Sequence, residues 1–142
     1  MKRAEAEKLV GEHVEVWTSL NGVYVGTLLR VFGRPWRGAV LIDGVLRAAT
    51  PWEAGRTGRQ RRGLRPGQEI EAGGANIRPT EDEGTTYLAA LERQLREFER
   101  HAESAQDRDR GWIDHSLQEI RDRIAEEPAH LAQICADKGR YS

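Results

Sequence analysis

Cysteine, methionine and lysine are scarce in this chain, and so are long apolar runs; each scarcity excludes something. Cys135 is the single cysteine, so one chain can build neither a disulfide framework nor a thiolate-rich zinc site. It lies in the apolar-patterned stretch AHLAQICADKG, where a buried, inert thiol is expected. No run approaches the roughly 18 consecutive apolar residues of a membrane span. The start, MKRAEAEKLV, is charged and leads into no apolar signal core, so a cytoplasmic protein is expected. Nucleophile-elbow, phosphate-loop and His-Glu-x-x-His patterns are missing as well. His115 and Glu119, and likewise Glu97 and His101, stand one helical turn apart and read as solvated pairs, each only part of a metal site, while His13 and His130 have no clustered partners. The expectation is a non-enzymatic chain with no cofactor.

What is present is arginine, 19 residues against three lysines, and a division of charge. Residues 1 to 80 carry 13 Lys and Arg against 8 Asp and Glu, a balance of +5; residues 81 to 142 carry 9 against 15, a balance of −6. The two halves nearly cancel to the overall −1. A length of 142 residues suits one compact domain, or a small domain with an appendage.

The basic half has strand grammar. After a short helix over residues 2 to 9, Val14 to Trp17 and Val23 to Phe32 flank Asn21-Gly22, a dipeptide favoured in hairpin turns because both residues tolerate positive φ. Gly26 inside the second strand marks a bend or bulge. Ala39 to Ile42 makes a third strand, with Asp43-Gly44 predicted as a turn before Val45 to Ala49. Pro51 to Gly67 is dense in Gly, Pro and Arg and reads as a long loop. Residues 68 to 72 and 75 to 78, split by Gly73-Gly74, are predicted to form a closing hairpin.

From Thr80 the period becomes helical. Thr80 and Thr85 compete as the cap of a helix whose Leu88, Leu91, Leu95, Phe98, Ala102 and Ala105 recur at spacings of 3 and 4. Ile113, Leu117, Ile120 and Ile124 continue one residue out of phase, and Gly111 between the two series predicts a helical hairpin turning there. Pro128 is expected to open a third, short helix that Gly139 ends. The fold class is α+β: a small, strongly bent antiparallel β-barrel with a short N-terminal helix over residues 1–79, followed by an acidic tail over 80–142, a helical hairpin plus a short helix. Such charged helices make a thin core alone, so packing on the barrel or on a second copy is expected, most simply in a homo-oligomer.

The stretch from Leu9 to Leu29, with Gly11, Val14, Val16, Gly22, Tyr24, Gly26 and Leu28, resembles the first motif of the Sm-like family. That resemblance implies a five-stranded, strongly bent SH3-like barrel, often assembled in rings that bind single-stranded RNA through two loops. The residues around the second loop read VFGRPWR, where the family usually carries Asp and Asn.

Arginines interleave with aromatics on two loops: Arg30, Arg34, Trp36 and Arg37, then Trp52, Arg56, Arg59, Arg61, Arg62 and Arg65. Single-stranded nucleic acid needs cations to displace counterions and flat rings on which bases stack. Arg34 and Arg37 with Arg59, Arg61 and Arg62 are therefore assigned phosphate contact, and Trp36 stacking, for single-stranded RNA or DNA. The competing reading is structural: tryptophans in the core, solvated arginines, and acidic helices that shield the basic barrel of the same or a neighbouring subunit.

Overall fold

The structure is a computed structural model that describes residues 1–18, 22–50 and 64–141; of residues 134, 135 and 137–141 only the backbone is described. It divides into two compact units, residues 1–90 and 91–142.

The first unit opens with helix α1 (Arg3–Lys8) and continues through strands β1 (His13–Thr18), β2 (Gly22–Phe32), β3 (Arg37–Ala48), β4 (Glu69–Gly73) and β5 (Ile77–Pro79). All pairings are antiparallel and the order is β4-β3-β2-β1-β5. The two outer strands are joined by a single 3-10 turn, Gly74–Asn76. In a flat sheet those edges would stand about 19 Å apart, four strand spacings, whereas three residues span about 10 Å. The sheet must therefore curl until its edges nearly meet.

Curling is written into β2 and β3. Their ladder slips at Val23/Tyr24, Val25/Gly26 and Leu28/Arg30, and each slip adds twist. A Cβ on Gly26 would overlap the carbonyl of Leu41, so only glycine lets the strands approach this closely. Asp43-Gly44 is not a turn, as the sequence suggested: β3 runs through it, with Val25 opposite Gly44 and Gly26 opposite Ile42. The dipeptide supplies a bulge instead, because Asp43 is left without an opposite residue. The predicted closing hairpin is also corrected. β4 pairs with β3, and β5 pairs with β1.

Alternation places the core inside the curl. Val14 and Val16 of β1 are fully buried, along with Leu28, Val40, Ile42, Val45 and Ile77. Tyr24 is buried too, and its hydroxyl accepts the Leu64 N–H at 3.2 Å. Burial pushes its phenol up to about 12.

Helix α2 (Tyr87–Glu103) is capped by Thr86, whose hydroxyl accepts the Ala89 N–H at 3.1 Å. Neither Thr80 nor Thr85 serves. Thr85 is held in a two-bond bridge to Val45, 2.8 Å each way. The second unit begins within α2 and contains helix α3 (Asp107–Tyr141). Two successive helices are present, but the break between them lies at residues 104–106 rather than at Gly111, and Pro128 lies inside α3 rather than at the start of a third helix. Asp107 and Asp109 in the first turn of α3 suit the positive end of the helix and offset the weak propensity of Gly111. Good helix formers on both sides of Pro128 carry the helix through it. Ile113, Leu117 and Ile120 are buried, as their spacing predicted.

Candidate functional site

The turn between β2 and β3, Gly33 to Trp36, carries two of the residues to which the sequence assigns ligand contact, Arg34 and Trp36, and Arg37 follows it. Gly33 has φ +80°, the left-handed region that favours glycine, and the Arg34–Pro35 peptide is cis. Three hydrogen bonds fix the turn from outside. The Trp36 indole N–H donates to the Met1 carbonyl at 3.1 Å, Arg3 Nη1 donates to the Gly33 carbonyl at 2.9 Å, and the Gly74 N–H donates to the Trp36 carbonyl at 3.0 Å. The indole lies where a Cβ on Gly74 would fall. The ring is thus half-buried with one face against Gly74, and in that position it braces the turn.

Arg34 and Arg37 flank this brace and are exposed. Among the described residues neither makes an ion pair or a side-chain hydrogen bond. Two guanidinium groups with no carboxylate partner among the described residues therefore flank a turn held by three hydrogen bonds. Arg30 behaves differently. It pairs with Glu69 at 3.0 Å and Glu71 at 3.7 Å, and stacks on Phe32 at 5.7 Å. The register explains this: Arg30 lies opposite Ala39, and Ala39 opposite Glu71, so the short alanine leaves the guanidinium room to cross to β4. Neutralisation of a barrel arginine does occur, by the barrel's own carboxylates. Arg59, Arg61, Arg62, Arg56 and Trp52 lie outside the described residues.

The N-terminal segment is what sequence reasoning missed. Lys2 is exposed beside the anchored Met1 carbonyl, and Arg3 shares its guanidinium between Gly33 and Glu7, the latter at 3.1 Å. The signal is the basic pair in MKRAEAEK, whose residues also favour a helix and so do not by themselves point to the turn.

Elsewhere, Trp17 is 43% exposed, yet Arg78 covers it at 5.4 Å and Glu15 accepts its N–H at 3.2 Å. Arg65 is almost fully buried, with its guanidinium 4.0 Å over the Tyr87 ring, so it belongs to the core rather than to a surface arm. His115 and Glu119 form the expected exposed pair at 3.0 Å. A shallow groove of about 360 Å³ on α2 is lined by Arg96, Glu99, Arg100 and Glu103, whose charges alternate and cancel. Among the described residues no three His, Cys, Asp or Glu side chains gather to hold a metal ion, and no helix is long and apolar enough to cross a membrane.

No protein-family model matches the chain, and no curated protein matches it. The crystal structure of kinase-associated protein B from Bacillus cereus is similar, with a TM-score of 0.61 and 20% sequence identity over 84% of this chain and 96% of that one. The likeness shows the fold: a small, barrel-like antiparallel sheet followed by helices.

Proposed function

We propose that this chain is a non-enzymatic docking module that uses the rigid basic turn of an SH3-like barrel to engage an acidic surface of a partner protein. The observation that carries the reading is the contrast within one turn. Arg34 and Arg37 are exposed and make no ion pair among the described residues, while the indole between them is held against Gly74 and Met1. A preorganised pair of cations contributes to binding without first losing loop entropy. Guanidinium groups on such a turn match carboxylates in forked geometry. The neighbour's name, a kinase-associated protein, fits a docking role for this architecture. The test is fluorescence anisotropy of a labelled oligo-glutamate peptide. Binding should weaken as salt rises from about 50 to about 500 mM, across which the Debye length falls from about 14 to about 4 Å. Absence of binding at the low end would end the proposal.

A second reading, contact with single-stranded RNA or DNA by an Sm-like barrel, is favoured by the same exposed arginines, since phosphate neutralisation needs only cations. It is weakened by the ring geometry: neither Trp36 nor Trp17 offers an indole free of packing partners, and open rings are what add affinity per base. A labelled oligothymidine that binds more tightly than the peptide would reverse the order of the two readings.

A further inference from the structure

The basic turn is completed by a segment that is remote in sequence. Met1 and Arg3 are each tied to it, through Trp36 Nε1 and the Gly33 carbonyl respectively, and Ala6 of α1 is fully buried as a further anchor. Lys2, held between two tied residues, cannot wander far from Trp36. Its exposed ammonium makes no ion pair among the described residues. Arg37 follows Trp36 directly, and Arg34 follows the glycine that Arg3 binds. Four cationic residues from two distant parts of the chain are thereby brought to one turn, with Glu7 the one carboxylate found on any of the four among the described residues.

We infer that the N-terminal segment is a wall of the docking site: Lys2 and Arg3 join Arg34 and Arg37 in a four-cation cradle that takes a run of adjacent carboxylates on a partner protein. This rests on the docking reading above. In an extended acidic segment, every second side chain falls on one face about 7 Å apart, so neighbouring carboxylates of one face can reach several cations carried by a single turn. Clustered like charges also add their fields, so a cradle of four attracts a multivalent anion far better than two isolated arginines. The clasp holds the backbones that carry these side chains near one another before any ligand arrives. Carboxylates are preferred over a nucleic-acid strand because one face of the central ring is covered by Gly74, which leaves less of it for a base to stack on.

The experiment titrates a labelled oligo-glutamate peptide, and in parallel an oligothymidine, with the full chain and three variants. The double variant R34A/R37A should lose most of the peptide affinity. K2A/R3A should lose about fivefold to tenfold, a few tenths to one kcal/mol per exposed charge. Lys2→Ala alone, which breaks no bond of the clasp, should lose about twofold to threefold. If K2A and K2A/R3A both bind like the unmodified chain while R34A/R37A fails, the cradle is refuted and the docking reading stands. If the unmodified chain ignores the peptide, the docking reading itself falls. Tighter binding of oligothymidine overturns the class of partner.

Discussion

Replacing Gly74 by alanine places a methyl group inside the Trp36 indole, and the consequence can be worked through. The ring must leave its seat, because the rest of the 3-10 turn is pinned between β4 and β5. An indole that is about half-buried hides roughly 100 Å² of apolar surface, about 2.5 kcal/mol, and its N–H bond to Met1 adds about 1 kcal/mol. Trp36→Ala should therefore destabilise the barrel by about 3 kcal/mol, and Gly74→Ala, which evicts the same ring, by about 2 to 3 kcal/mol. The two losses are one loss counted twice. In the double variant, Gly74→Ala should add less than about 1 kcal/mol, a coupling near 2 kcal/mol in a double-mutant cycle measured by urea denaturation. Additive costs would show that Trp36 does not rest on Gly74, and the rigid-turn argument would lose its foundation.

Four further outcomes are expected. Gly26→Ala should cost 3 kcal/mol or more in urea unfolding, because its Cβ meets the Leu41 backbone and backbone cannot step aside; a neutral result would contradict the closely bent sheet. Gly111→Ala should stabilise the helical unit by about 0.5 to 1 kcal/mol by thermal melting, since the site is helical with nothing within 4 Å; destabilisation would place the helix break at Gly111 after all. Removing both partners of Arg30, Glu69→Gln with Glu71→Gln, should change stability by less than about 1 kcal/mol, the pairs being exposed, while strengthening peptide binding. Because the folded-state pKa of Tyr24 is raised to about 12 against an unfolded value of about 10, its contribution is fully present below pH 10 and is lost as pH climbs to 12; denaturant midpoints should fall across that window, and Tyr24→Phe should flatten the fall.

Legibility in the sequence followed the reach of the interactions concerned. β1, β2 and the bend at Gly26 could be read because alternation, the Asn-Gly dipeptide and an interior glycine are local signals. Asp43-Gly44 misled because the same two residues favour a turn and a bulge, and the choice is made by what β2 presents opposite them. Gly73-Gly74 misled for a related reason: a glycine pair suits a hairpin, but here one glycine makes room for a tryptophan contributed from nearly forty residues away. Helix periodicity found the buried isoleucines and missed the turn at 104–106, since the acidic start at Asp107 is a weaker mark than a glycine. Of the candidate site, Arg34 and Arg37 were identifiable as exposed turn arginines. The brace role of Trp36 and the nearness of Lys2 and Arg3 were not, because both depend on how the N-terminal segment folds back.

The central claim is that an anionic partner binds at the turn held by Trp36. A ¹⁵N-resolved NMR titration of the full chain with the oligo-glutamate peptide tests it most directly, because the Trp36 indole N–H, donated to the Met1 carbonyl, reports from the junction of the turn and the N-terminal segment. The account predicts saturable shifts of that signal and of the amides of Lys2, Arg3, Gly33, Arg34 and Arg37, all fading together as salt is raised. Shifts confined to the β1/β5 face around Trp17 and Arg78, with the Trp36 signal unmoved, would contradict it.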